Sequence, residues 1–252
     1  MILFNKRVFY ISNILGIILF GGLFSACDIM GGWYDDTLDG KNPEEKREGT
    51  NSDVTGKEET QITDEDGNQK TVTVISGQFY VDATSYTQWI YINLHGEEPV
   101  FTTSTISLDD LSESGVPEQW DFALHRYDVK TNGGKVMMTT YHSITELEAA
   151  GLPADGTWVE DSYSENSITV DMSHMMEGYL IYAPGNKNTE AGKWLNVDTS
   201  NMPPDYTMYD NVMIYQFTDG SYAAIQLEDF MSNDRYKTKG WMTVNYKYPV
   251  FI

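Results

Sequence analysis

Disulfide-capable cysteine is almost missing from this chain: Cys27 is the only cysteine among 252 residues. No internal disulfide can form, and no cysteine-based zinc site can be assembled, so a fold must be held by its core. Basic residues are scarce too, 16 against 38 acidic ones, for a net charge of −22. A surface of that sign repels nucleic acid and anionic headgroups, so neither is expected as a partner. Histidine occurs four times, as His95, His125, His142 and His174, and no two stand at the close helical spacing of a zinc site. His125 alternates within a strand pattern and reads as a hydrogen-bonded structural residue, His95 as a surface turn residue and His142 as solvated. A Gly-x-Ser-x-Gly elbow is absent and the many carboxylates single out no pair, so no catalytic residue is assigned and the chain is read as a non-enzyme.

What is present begins with an export segment. Lys6 and Arg7 precede a mainly apolar run from Ile11 to Phe24, then Ser25 and Ala26, then Cys27. This is the layout of a secretory signal peptide over residues 1–26, and the run is too short and interrupted for a span of about 20 apolar residues. Leu23-Phe24-Ser25-Ala26-Cys27 resembles the lipobox of bacterial lipoproteins, with Phe24 in place of a small aliphatic residue. The resemblance implies lipidation of Cys27 and contact with a membrane only through that anchor. Cleavage removes two cations and no acid, which takes the charge from −22 to −24.

Residues 27–69 read as the lipidated cysteine and an acidic tether. Lys41 to Asp66 is rich in Gly, Asn, Glu, Asp, Thr and Lys, with too little apolar surface to offset its ordering entropy. Acids soon after Cys27 resemble the surface-export signal of Bacteroidetes lipoproteins, which implies an outer-membrane, cell-surface location or release from it.

Residues 70–252 then form one domain, and its dominant pattern is period-2 alternation. Strands are expected at Thr71–Val74, Gln78–Asp82, Trp89–Leu94 and Trp120–Val129. Asn211–Phe217 and Ser221–Leu227 flank an Asp219-Gly220 hairpin turn. Gly240–Val250 alternates with Met242, Val244, Tyr246 and Tyr248 on one face. One short helix is expected after Ser143, which pairs with Glu146 as a capping box and is stopped by Gly151-Leu152-Pro153. The expectation is an all-β domain of antiparallel strands and hairpins with one or two short helices.

Methionine is the unusual component. Met137, Met138, Met172, Met175, Met176, Met202, Met208 and Met213 crowd the second half of the domain. Met172-Ser173-His174-Met175-Met176-Glu177-Gly178 is too polar for a core strand, and Asn201-Met202-Pro203-Pro204-Asp205 reads as a loop, because proline cannot join a ladder. Such methionines either pack as gap-fillers or offer thioethers to a soft metal or a haem iron.

Trp120-Asp121-Phe122-Ala123-Leu124-His125-Arg126-Tyr127-Asp128-Val129-Lys130-Thr131-Asn132-Gly133-Gly134 resembles the signature of the HmuY family of haem-binding, haemophore-like lipoproteins. The stretches Val81–Trp89, Gly192–Leu195 and Val244–Val250 resemble further family segments in the same order. The resemblance implies an all-β, hand-like fold that clasps haem between two finger hairpins. It also implies capture of haem from host or bacterial haemoproteins and delivery to a TonB-dependent outer-membrane receptor. The family's two-histidine ligation is not reproduced: counting from Trp194, the second position falls on Thr199, and the first falls within Met172–Glu177. By resemblance to members with a methionine pair, Met175 and Met202 are the expected axial ligands, with Met172, His174 and Met176 as alternates for the first. A non-haem, glycan-binding or adhesive β-domain using exposed Tyr and Trp is the competing reading. Oligomeric state, including a homo-oligomer, is left open.

Overall fold

The computed structural model describes residues 49–63, 67–200 and 203–252. The signal segment, Cys27, residues 28–48 of the expected tether, and Met202 lie outside the described residues.

Among the described residues, seventeen strands and one α-helix follow in order. The first part of the chain contributes β1 (Asn51–Thr63), β2 (Gln69–Asp82), β3 (Ile90–Asn93), β4 (Val100–Thr103), β5 (Thr105–Ile106) and β6 (Glu113–Ser114). Then come β7 (Phe122–His125), β8 (Asp128–Thr131), β9 (Lys135–Met138), helix α1 (Ile144–Ala150) and β10 (Val159–Glu160). The chain closes with β11 (Ser162–Asp171), β12 (Ile181–Lys187), β13 (Leu195–Asp198), β14 (Asp205–Met208), β15 (Met213–Gln216), β16 (Tyr222–Met231) and β17 (Lys239–Val250). A seven-stranded sheet runs β1-β2-β17-β16-β15-β9-β10, and a four-stranded sheet runs β4-β3-β7-β8. All pairings between strands among the described residues are antiparallel. The all-β expectation is met.

Alternation explains how the layers stack. Ile90, Ile92, Phe122 and Leu124 of the four-stranded sheet share one buried cluster with Phe79, Tyr215, Ile225, Val244 and Tyr246 of the seven-stranded sheet. The intervening residues face the other way. Tyr91 and Ala123 join Trp89, Ile168, Val170 and Ala183 in a second cluster. Met137, Ile214 and Ala224 meet Leu147 of α1 in a third. Period-2 side-chain placement thus lets each sheet bury both faces. In β17, Met242, Val244, Tyr246 and Tyr248 do share the inner face. Helix α1 is capped as expected, Glu146 N–H donating to Ser143 Oγ at 3.1 Å. The Glu146 carboxylate, however, accepts from the His142 backbone N–H at 3.2 Å rather than from Ser143.

Three expectations are corrected. The tether is not uniform to residue 69, because Asn51–Thr63 pairs along β2 as an edge strand. Its side chains are mostly exposed or half-buried, so it is held by ladder hydrogen bonds rather than by apolar burial, and composition concealed it. The separate strands at 71–74 and 78–82 are one strand, β2, which passes through Gly77. A Cβ there would stand 2.0 Å from the Asp53 carbonyl oxygen, beside the β1 bulge at Val54–Gly56. Finally, Trp120–Val129 is a hairpin, since Arg126 adopts φ 53° between β7 and β8. That strained conformation is held by Arg126 Nη1 donating to the Thr84 carbonyl at 2.7 Å and by its guanidinium lying 4.4 Å from the Tyr86 ring centre.

Candidate functional site: two projecting hairpins

Among the described residues, and apart from the short β5–β6 pair, two hairpins belong to neither large sheet. The first pairs β11 with β12 and is rooted by Ile168, Val170 and Ala183 in the cluster on the outer face of the four-stranded sheet. Asp171 ends β11 by accepting from the backbone N–H and hydroxyl of Ser173, at 2.7 and 3.0 Å. The chain then turns through a short 3-10 segment, Met175–Glu177, and Gly178 leaves it in the left-handed region at φ 89°, where glycine carries no steric penalty.

The second hairpin pairs β13 with β14. Its root is Trp194, buried, with Nε1 donating to the Tyr127 carbonyl at 2.9 Å. Tyr206 of β14 stacks on Phe230 with ring centres 5.5 Å apart, and Lys239 Nζ lies 4.5 Å from the Tyr206 ring centre. Ser200 N–H donates to Asp198 Oδ1 at 2.9 Å as the chain enters the tip, and Pro203 and Pro204 lead back into β14.

These hairpins carry a concentration of exposed apolar side chains. Tyr163, Met175, Met176, Tyr179 and Tyr182 lie on the first, and Met208 and Tyr209 on or beside the second. Met176 is 90 % exposed and Met175 39 %. Large apolar groups concentrated on these two hairpins make them the candidate binding surface. A groove of about 530 Å³ lies at the hairpin roots, lined among others by Asp128, Met138, Lys187, Lys193, Asn196 and Tyr209. Its lysines are engaged: Lys187 with Asp128 at 3.1 Å and Lys193 with Glu190 at 2.6 Å.

Met172, His174, Met175 and Met176 fall together in the first fingertip. His174 stacks on Tyr179, with ring centres 4.6 Å apart and 11° between planes, and its Nδ1 stands 3.1 Å from Glu177 Oε2. Met202 falls in sequence between the described residues Ser200 and Pro203 and is itself outside the described residues. His125 is the structural residue expected from its alternation. It is buried, its Nε2 lies 2.8 Å from the Tyr86 carbonyl oxygen, and burial pushes its pKa down. His142 is exposed beside Asp210.

His95 corrects its expectation as a plain turn residue: it bridges Asp121 and Asp219, each at 2.9 Å. Another arrangement had no signal in the sequence. Lys130 Nζ lies 4.3 Å from the Trp89 ring centre, 4.8 Å from Tyr91 and 5.8 Å from Trp120, and 2.8 Å from Glu113 Oε2. Tyr91 and Ser104 hydroxyls donate to the same carboxylate. Desolvation pushes the Lys130 pKa down, and the Glu113 contact opposes that shift. Among the described residues no group of three His, Cys, Asp or Glu could hold a metal ion, and no helix is long and apolar enough to cross a membrane.

No curated protein matches the chain. Solved structures do. A chain assigned as a lipoprotein from Bacteroides fragilis aligns with TM-score 0.64 and 46% identity, covering 70% of this chain and 91% of that one. An HmuY-like haem-binding protein from Bacteroides vulgatus aligns with TM-score 0.62 and 40% identity, covering 70% and 93%. The apo HmuY analogue of Tannerella forsythia shares the fold at TM-score 0.56 and 23% identity, over 70% and 96%. The sequence profile described as HmuY protein matches residues 85–246, from the loop before β3 to within β17 and across both hairpins. This chain belongs to the HmuY family.

Proposed function

We propose that the protein is a haem-binding, haemophore-like lipoprotein without enzymatic activity, anchored through Cys27 at the outer membrane and exposed at the cell surface. It takes haem from host or bacterial haemoproteins and hands it to a TonB-dependent receptor. One observation carries this reading: exposed apolar groups collect on two projecting hairpins, and one tip presents methionines. A porphyrin is flat and apolar, and it would be covered by such tyrosines and thioethers.

The residues fit the group. Thioethers are known axial donors to haem iron, and Met175 with Met202 would supply one from each fingertip. Met172, His174 and Met176 are alternates in the first turn. Bound haem would supply an iron centre whose reduction potential is raised by thioether donors relative to imidazole. Thioethers do not titrate, so the ligand set stays intact at acid pH, where a pair of histidines would protonate.

Titration of the protein with haem, followed by the Soret band in the oxidised and reduced states, tests the proposal. A saturable band shift at one equivalent is expected. No shift, together with retention on a glycan array, would instead favour the adhesive or glycan-binding reading to which the exposed Tyr163, Tyr179, Tyr182 and Tyr236 are also suited. Cys27→Ser should abolish recovery in the detergent phase. Recovery of a mature-sized lipoprotein from that variant would remove the anchor from the proposal.

A further inference from the structure

The first fingertip has a chemistry of its own, independent of any porphyrin. Within five residues it sets three thioethers and one imidazole, at Met172, His174, Met175 and Met176. The backbone carrying them closes into a tight turn. Met175 N–H donates to the Met172 carbonyl at 3.0 Å, Glu177 N–H to that of His174 at 2.9 Å, and Gly178 N–H to that of Met175 at 3.1 Å. A turn closed in this way brings the Cα atoms of Met172 and Met175 within about 7 Å, and the flexible methionine side chain spans the remainder.

The histidine is oriented in the manner of a metal ligand. Its Nδ1 is engaged by the Glu177 carboxylate and its ring is stacked flat on Tyr179. Nε2 has no hydrogen-bond partner among the described residues, and the side chain is 38% exposed. A carboxylate on one ring nitrogen fixes the tautomer that leaves the other free to donate to a metal. Asp171 and Glu177, one on either side of the turn, supply negative charge close by.

We propose that residues 172–177 form a binding site for a soft monovalent cation, Cu(I) or Ag(I), held by the Met172 and Met175 thioethers and by His174 Nε2. Met176, almost fully exposed, is free to close over the ion as a fourth donor. Neutral sulfur donors favour soft ions over Zn(II), Mg(II) or Ca(II), which prefer thiolate, imidazole or oxygen. Binding involves no electron transfer. The site needs neither Met202 nor haem, and an ion there would compete with haem for Met175 or for whichever of Met172, His174 and Met176 stands in for it.

The test uses the full chain carrying Cys27→Ala in every arm, because a free thiol would itself take the ion. Methionine-methyl and histidine-ring NMR signals are followed while silver nitrate is added in chloride-free buffer. Saturation at one equivalent is expected, with the Met172, Met175 and His174 signals moving first. Met172→Leu/Met175→Leu, a volume-conserving change in an exposed turn, should weaken binding at least tenfold, and His174→Gln should weaken it less. Zinc nitrate should leave the methionine signals unmoved. An unchanged Ag(I) titration in the double variant, or methionines outside the turn moving at the same ion ratio, would overturn the site. The haem titration is read separately on the same samples, so failure of one proposal does not mask failure of the other.

Discussion

His95 stands with Nδ1 2.9 Å from Asp121 Oδ1, while its other ring nitrogen lies 2.9 Å from Asp219 Oδ2. The imidazole therefore ties the end of β3 to the approach to β7 and to the β15–β16 turn, with Tyr248 of β17 packed against it at a tilt of 57° and 4.9 Å between ring centres. Asp121 is itself buried and accepts from the Leu94 backbone N–H at 2.6 Å. The Asp121 hydrogen bond, opposed by desolvation and helped by Asp219, pushes the His95 pKa up to about 9.

A raised histidine pKa stabilises the fold in its charged form. The contribution is fully present below the unfolded-state value of about 6.5 and is lost as pH rises through about 9. Because His95 is 40% exposed, solvent screening leaves on the order of 1 kcal/mol. Urea unfolding of the protein and of His95→Gln should differ by that amount at pH 6 and converge by pH 10. A constant difference across that range would show that the bridge acts through packing rather than charge.

Lys130 and Glu113 form a partly buried pair walled by Trp89, Tyr91 and Trp120. Removing one partner leaves the other charge desolvated, so Lys130→Met and Glu113→Gln should each cost about 2 kcal/mol. The double variant should cost clearly less than their sum, since with both charges removed none is left stranded. Tryptophan fluorescence through a denaturant titration measures all three. Additive losses would mean that the two side chains are not energetically coupled.

A chain starting at residue 70 would keep the rest of the domain but turn β2 into an edge strand. Cooperative unfolding should persist with a loss of about 1–2 kcal/mol and greater self-association, because β1 supplies ladder hydrogen bonds and edge protection but little apolar burial. Gly77→Ala in the full chain should lose part of the same amount, as its Cβ meets the Asp53 carbonyl. Hydrogen exchange of residues 51–63 gives the direct readout. Full protection in Gly77→Ala would contradict the contact.

Among the proposed haem ligands, Met202→Ala should abolish the six-coordinate ferrous spectrum, because Thr199, Ser200, Asn201 and Asp205 offer no soft donor nearby. Met175→Ala should be milder, since Met172, His174 and Met176 share its turn. The loss should be larger for reduced than for oxidised haem. An unchanged reduced spectrum in Met202→Ala would remove that residue from the ligand pair.

Local features were legible from the amino-acid order because their causes are local. The Asp219-Gly220 turn appears with Gly220 at φ 87°, the Ser143 cap starts α1, and the alternation of β17 reads directly as its inner and outer faces. The non-strand character of Met172–Gly178 was equally plain from its polarity.

What tertiary structure decided are relationships between distant residues. Asn51–Thr63 became a strand because β2 offered it an open edge, not because its composition favours one. The break at Arg126 is held by Thr84 and Tyr86, from a loop some forty positions earlier. His95 acquires its charge from carboxylates 26 and 124 positions away, and Lys130 acquires its aromatic surround from two separate segments, Trp89 with Tyr91 and Trp120. Period and propensity encode which way a side chain faces. Electrostatic environment depends on which segments the fold brings beside it, and no local pattern carries that information.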